Sequence, residues 1–282
     1  MAKEKIAFIG PGVMAEAMIA GLIRTGLAEG NDMVAAGPRA ERGARLAEKY
    51  GLLFTQNNKE AAGGADIVVL SVKPQQLENA LGDLKGEIKK ESLVLSIVAG
   101  AGIARIRKAI GHAIVVRAMP NTPARIGEGI TVWTASDKVS EEKKELAEQI
   151  LGALGQTVYM EDESFLDKAT ALSGTGPAYV YLFMEAMVDA GVHLGFPRRV
   201  AEKLVVETLR GSVDFYDQSD EGPRHLARLR NEVTSPGGTS AEAIYYLEKA
   251  GFRTAISRAI WAAFERSRDL GEEGVDGREL PE

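Results

Sequence analysis

Six residues near the N-terminus, Gly10-Pro11-Gly12-Val13-Met14-Ala15, have the form G-x-G-x-x-A. Alone that pattern is common. Here it follows a short apolar run, Ile6–Ile9, and opens a segment in which Met14, Met18 and Leu22 recur at helical spacing. A strand, a glycine turn and a helix start together make an anion site. The first turn of a helix offers N–H groups without intrahelical acceptors and the positive end of the peptide dipoles. Gly10 allows the tight turn, Gly12 lets a pyrophosphate approach the backbone, and Ala15 permits close packing of helix on strand. In this context the pattern reads as a dinucleotide cradle.

The second strand bears on which dinucleotide. Sites for NAD usually carry an Asp or Glu about 20 residues beyond the glycines, on the ribose 2′-hydroxyl. This chain has Ala35-Ala36-Gly37-Pro38-Arg39 there, with no acid at the strand end and a guanidinium after it. Arg39 is suited to a 2′-phosphate as a charge-assisted fork, so NADPH is favoured and NADH remains possible.

Two further segments have side chains stripped from the backbone. Ser235-Pro236-Gly237-Gly238-Thr239-Ser240 precedes a helical stretch and has the makings of a small site for one carboxylate. The same residues also suit a plain helix-capping turn, and the loop alone does not separate the two. Ser173-Gly174-Thr175-Gly176-Pro177-Ala178-Tyr179 opens a long helix, and its glycines serve either close packing or ligand contact. Lys73, before Pro74 at a strand's carboxyl end, reads as a positioning or electrostatic group. His112, His193 and His225 stand outside these clusters and read as surface or packing residues. No metal site is expected, and the absence of Cys removes thiol nucleophiles, iron–sulfur clusters and disulfides.

These residues need elements to hold them. Up to about residue 160, short β-rich runs (6–9, 33–36, 67–72, 93–98, 114–119 and 130–134) alternate with helical segments. Continuous apolar runs such as Ile67-Val68-Val69-Leu70 are expected of parallel strands buried on both faces. The pattern predicts a Rossmann-like, doubly wound α/β domain over residues 1–162. Beyond it, 177–194, 198–216, 239–249 and 252–270 read as helices with wide apolar faces. An all-α domain over 163–270 is therefore expected, one that buries those faces against other helices, those of a second subunit among them. Residues 271–282 read as an acidic, flexible tail.

Charge narrows the function classes. The last fourteen residues carry six acids against Arg278, which is −5 of the net −6, so the other 268 residues sum to −1. A nearly neutral body gives no excess positive charge for DNA or RNA. No window is apolar enough for a membrane span, and the opening run is too short for a signal core, so the default address is cytoplasmic.

Taken in order, the short motifs resemble one family, the pyrroline-5-carboxylate reductases. They are Gly10 to Ala15, Asn58-Lys59-Glu60, Val72-Lys73-Pro74, Arg117-Ala118-Met119-Pro120-Asn121-Thr122-Pro123, Ser173 to Tyr179, and Val233-Thr234 followed by Ser235 to Ser240. The resemblance implies reduction of the cyclic imine Δ1-pyrroline-5-carboxylate to L-proline by NAD(P)H, the last step of proline biosynthesis. It also implies a homodimer through interleaved C-terminal helices, and rings of such dimers. By similarity, Val72, Lys73 and Pro74 line the cofactor, and Asn58 lies near its adenosine ribose. Met119, Asn121 and Thr122 approach the nicotinamide side. Ser235, Gly237, Gly238, Thr239 and Ser240 hold the substrate carboxylate, with Ser240 facing the imine nitrogen as the catalytic residue.

Hydride transfer to a C=N bond asks little of the protein beyond holding the ring against the nicotinamide and keeping a proton on nitrogen. Two residues depart from the family's habit. Ser240 stands where Thr is common, keeping the hydroxyl and losing a methyl, and Asn231 stands where Asp is frequent. A β-hydroxyacid dehydrogenase shares the overall plan but needs a Lys as proton donor on the helix after a G-x-G segment. That position here is Val180. A non-catalytic NADPH-sensing dimer is the other alternative, and it is disfavoured by the intact nicotinamide-side and carboxylate motifs.

Overall fold

The computed structural model describes residues 4–217 and 225–276, with side chains described as far as Gly271. Eight strands form one sheet: β1 (Ile6–Ile9), β2 (Met33–Ala36), β3 (Leu53–Thr55), β4 (Ile67–Leu70), β5 (Leu93–Ser96), β6 (Val115–Met119), β7 (Gly129–Ala135) and β8 (Gly155–Tyr159). Their order is β3-β2-β1-β4-β5-β6-β7-β8. Ile6 of β1 pairs with Met33 on one side and Ile67 on the other, both in parallel. The order therefore reverses direction between β1 and β4, and in open α/β sheets ligands bind beyond the carboxyl ends of the strands at such a point.

The helices over and around this sheet are α1 (Val13–Arg24), α2 (Ala40–Tyr50), α3 (Asn58–Gly63), α4 (Leu77–Leu84), α5 (Ile103–Ile110), α6 (Glu141–Gly152) and α7 (Phe165–Ala169). Alternate strand residues feed two cores. Phe8, Val69 and Leu95 pack with Met18 and Leu22 of α1 and Ile150 of α6, while Ile9, Val68 and Val94 pack with Leu81 of α4 and Ile106 of α5. Because both faces are covered, every residue of β1, β4 and β5 is buried, which is why those runs read as unbroken apolar stretches.

Two strands were invisible to that pattern. β3 and β8 lie at the sheet edges and are half exposed, and within each strand the apolar residues are only a pair, Leu53-Phe54 and Val158-Tyr159. The run expected at 130–134 is a strand, but it pairs antiparallel with β6 (Val116 opposite Ala135). The connection from β6 to β7 is a tight loop carrying the single 3-10 turn Thr122–Ile126, too short for the crossover that parallel pairing needs.

The chain divides into two compact units, one holding residues up to Pro177 together with those from Ala262, the other Ala178–Trp261. Within the first unit, one buried arginine ties residues 163–167 to the sheet. Arg117 of β6, buried, pairs with Glu163 at 3.0 Å and with Asp167 of α7 at 2.8 Å, and Ser267 also reaches Asp167. The last helix, Phe252–Asp276, runs six residues past the end expected at 270. Gly271 lies where an added Cβ would be 3.0 Å from the Gly100 carbonyl oxygen, so a small residue is used for close approach rather than to stop the helix. The rest of the expected acidic tail lies outside the described residues.

The remaining helices are α8 (Gly176–His193), α9 (Arg198–Asp217), α10 (Leu226–Glu232), α11 (Thr239–Lys249) and α12 (Phe252–Asp276). The helical unit has a small core of Val188, Ala201 and Val205, with Met184, Met187 and Leu209 against it. Many of its large apolar residues face outward, among them Leu182, 68% exposed, and Val180, Val213 and Tyr246. No helix among the described residues is long and apolar enough to cross a membrane.

Candidate active site

At the carboxyl end of β1 the chain turns through Gly10 at φ +89°, where a Cβ would fall 2.6 Å from Val72 Cγ1 and 2.8 Å from Val72 Cα. Glycine is required there by both conformation and space. Gly12 is different. Its backbone is extended (φ −80°), and the protein atom nearest to an added Cβ is 3.9 Å away. Nothing in the chain demands glycine at that position, so its missing side chain leaves an open face beside the start of α1. Gly12 is the N-cap and supplies no side-chain cap, and Val13 next to it is exposed. The amides of Val13, Met14 and Ala15 therefore present donors that a pyrophosphate fits. Ala15, fully buried, brings α1 against the sheet.

The turn is tied down from below. The Gly10 amide donates to the Ala36 carbonyl at 2.9 Å, and the Ser71 hydroxyl lies within 3.1 Å of the Ile9 carbonyl and 3.0 Å of the Gly10 carbonyl. Pro11 is buried against Gly37, where a Cβ would meet Pro11 Cδ at 2.7 Å.

Beside the cradle lies a cavity of about 280 Å³ lined by Gly10, Gly37, Pro38, Asn58, Val72, Gln76 and Asp83, among others. Asn58 donates from its amide to Asp83 at 2.9 Å. Ser71 and Asp83 were not anticipated; the sequence signal for Ser71 is one polar residue closing an apolar strand. Arg39 occupies the N-cap position of α2 without a side-chain cap and is exposed, and Lys73 is exposed just beyond β4, ahead of the short turn of Pro74–Gln76. Residues 10–15, 39, 58 and 72–74 thus gather at the end of the sheet where its order reverses.

The 117–123 motif forms the end of β6 and its loop. Asn121 accepts from the Ile130 amide at 3.0 Å and donates to the Ser173 carbonyl at 3.3 Å, so its side chain fastens the loop. Met119 Cε lies 2.9 Å from where a Gly174 Cβ would stand, and Thr122 is exposed. Between α7 and α8 the backbone widens into a single π-helical turn, Thr170–Gly174, closed by the Thr175 amide on the Thr170 carbonyl at 2.8 Å. Such turns recur at functional sites, and this one had no sequence signal. Two motifs 50 residues apart in the chain meet here. Gly174 serves close packing, while a Cβ at Gly176 would meet no atom within 4 Å.

The loop of Ser235 to Ser240 belongs to the helical unit. Gly237 has φ +71°, and the Gly238 amide donates to the Ser235 carbonyl at 3.0 Å. The N-cap of α11 is Gly238, which has no side chain to cap with. A plain capping turn would use the Thr or Ser hydroxyl there; instead both hydroxyl residues fall inside the helix, and its first amides stay uncapped by any side chain. Ser240 is half-buried and Thr239 exposed.

Glu16, in the first turn of α1, has a displaced pKa. Burial pushes it up, but hydrogen bonds from Lys49, Arg42 and Tyr50 and the Arg42 charge outweigh that and hold it below its ordinary value.

Comparison with known proteins agrees with this arrangement. A family model described as pyrroline-5-carboxylate reductase dimerisation matches residues 163–270, and one described as NADP oxidoreductase, coenzyme F420-dependent, matches 5–100. The pyrroline-5-carboxylate reductase of Synechocystis sp. is 39% identical over 268 residues, covering 95% of this chain and 98% of that protein. That of Pseudomonas aeruginosa is 39% identical over 274 residues, covering 97% and 99%. The chain belongs to the pyrroline-5-carboxylate reductase family. Among solved structures, the Plasmodium falciparum pyrroline carboxylate reductase with NADP bound aligns with a TM-score of 0.87 at 32% identity, over 96% of this chain and 99% of that one. As a pyrroline-5-carboxylate reductase by family, the chain has a sheet whose strand order supports an NADP site and helices whose apolar faces suit a dimerisation domain.

Proposed function

We propose that this protein reduces Δ1-pyrroline-5-carboxylate to L-proline, with NADPH the preferred and NADH the weaker hydride donor. The observation that carries the reading is Gly12, a glycine that no protein contact requires, at an uncapped helix start where the sheet order reverses. A bound NADPH supplies the hydride there. Residues Gly10, Pro11, Gly12, Val13, Met14 and Ala15 hold its pyrophosphate, Asn58 the adenosine ribose and Arg39 the 2′-phosphate. Val72, Lys73 and Pro74 line the site, and Met119, Asn121 and Thr122 face the nicotinamide side. Asn121, fastened between Ile130 and Ser173, acts by holding that loop in shape.

The substrate's carboxylate sits on the loop of Ser235, Gly237, Gly238, Thr239 and Ser240, at the uncapped start of α11. A protonated iminium is already electrophilic, so Ser240 has only to hydrogen-bond the ring nitrogen and keep its proton in place as the carbon accepts the hydride. The C=N double bond becomes a C–N single bond, and the nitrogen retains its proton as an amine. The protein works as a homodimer through its C-terminal helices, with rings of dimers a further stage of assembly, in the cytoplasm. The test is loss of reduced-nicotinamide absorbance on adding the imine, run in parallel with NADPH and NADH. Proline formation with NADPH faster is expected; cofactor binding without turnover would sink the reductase reading and leave a sensor.

A further inference from the structure

Arg42 was not among the residues expected at the site. It lies on α2 in the same unit as the cradle, three residues past Arg39, and its side chain is one-quarter exposed. Its Nε donates to the Pro11 carbonyl at 3.2 Å, and Nη2 reaches the Gly12 carbonyl at 3.4 Å. Nη2 also pairs with Glu16 Oε2 at 2.5 Å. Glu16 is held in turn by Lys49 at 3.0 Å and the Tyr50 hydroxyl at 3.2 Å, so the guanidinium is aimed by a carboxylate that is itself anchored twice.

A trans peptide points its C=O and the following N–H in opposite directions. Whatever holds the Gly12 carbonyl toward α2 therefore holds the Val13 amide toward the open face. The Gly12 carbonyl also takes the Glu16 amide at 3.0 Å as the first bond of α1. The Pro11 carbonyl lies before the N-cap and outside that ladder; its peptide is held from both sides, by the Gly12 amide on the Gly10 carbonyl at 2.7 Å and by Arg42 on the Pro11 carbonyl itself. Charge matters as well. A lone Glu16 in the first turn would repel a pyrophosphate at the helix start; with Arg42 and Lys49 against it, the cluster is net positive.

We propose that Arg42 is a positioning residue of the cofactor cradle, clamping the Pro11 and Gly12 carbonyls so that the helix-start amides face the dinucleotide pyrophosphate. The proposal rests on the dinucleotide site put forward above. It separates Arg42 from Arg39, because the pyrophosphate is common to NADPH and NADH whereas the 2′-phosphate is not.

The experiment measures dissociation constants of NADPH and NADH by fluorescence quenching on the full-length protein, with melting temperature and steady-state kinetics alongside. Arg42→Ala weakens both dinucleotides by the same factor, about tenfold, as loss of a charged hydrogen-bonding group does. KM for the dinucleotide rises while kcat holds. Arg42→Lys recovers part of both affinities, and Arg39→Ala weakens NADPH alone. Should Arg42→Ala not fold, Arg42→Gln carries the test with the same equal loss expected. Loss confined to NADPH would make Arg42 a 2′-phosphate ligand and overturn the proposal. So would unchanged affinity for both, or a fall in kcat with KM unmoved. Wild-type protein that binds neither dinucleotide would overturn the proposed site itself, and Arg42's role with it.

Discussion

At the scale of single residues, the two cradle glycines are glycine for different reasons, and their variants should separate. Gly10→Ala forces a side chain into a positive-φ position against Val72, so it should lower the melting temperature measurably. Gly12→Ala meets no protein atom closer than 3.9 Å; it should melt close to wild type while weakening both dinucleotides. A titration of each variant with NADPH, next to its melting curve, checks the pair, and a destabilised Gly12→Ala would contradict the assignment. Gly238 has the opposite character to Gly12, since a Cβ there would lie 2.5 Å from Ser235 Oγ. Gly238→Val should distort the loop and raise KM for the imine about tenfold or more, leaving NADPH affinity unchanged. Equal loss of both affinities would mean the two sites are misassigned. Ser240→Ala should fold normally and lower kcat/KM roughly tenfold, the cost of the one hydrogen bond proposed at the reacting nitrogen.

At the scale of elements, the ion pairs of Arg117 join β6 to α7 and, through Ser267, to α12. Arg117 is buried, and its removal leaves Glu163 and Asp167 facing each other without a counter-charge. Arg117→Ala should cost about 3 kcal/mol in urea unfolding. A value near zero would mean that solvent compensates the two carboxylates, whose side chains are 34% and 23% exposed. At the other end of the sheet, Asp66 ties the start of β4 to the start of β1. The Lys5 amide, at 3.0 Å, and then the Lys89 ammonium hold its carboxyl below the ordinary aspartate value against the opposing effect of burial. A depressed carboxylate pKa stabilises the fold above the unfolded value of about 3.9. That stabilisation is lost as pH falls through the folded value. Melting temperature against pH should therefore drop less steeply on the acid side for Asp66→Asn than for wild type.

At the scale of the whole molecule, the helical unit buries few residues and exposes many apolar ones. A folded monomer rarely exposes apolar surface on this scale without a partner. In the proposed dimer those faces cover one another. Leu182→Asp, placing a charge on an outward apolar position of α8, should shift the species seen by light scattering from dimer to monomer and lower thermal stability with it. A wild-type protein that runs as a monomer would remove the dimer from the proposal.

Much of this protein was written locally. The strand, glycine turn and helix of residues 6–24, the absence of an acid after β2, and helices α8, α9 and α11 follow from short-range periods and turn chemistry, which depend on neighbours a few residues apart. The ordered motifs from Gly10 to Ser240 carried the family. What the tertiary structure decided depends on distant contacts that no local period encodes. β3 and β8 join the sheet as exposed edges, and β7 turns antiparallel because its loop is short. Asn121 and Met119 meet Ser173 and Gly174 across a π turn. Arg117 draws residues 163–177 into the sheet unit, and Arg42 reaches from α2 to the cradle. A guanidinium's partners lie wherever folding places a carbonyl or a carboxylate within its reach, so neither role could be assigned before the elements were packed.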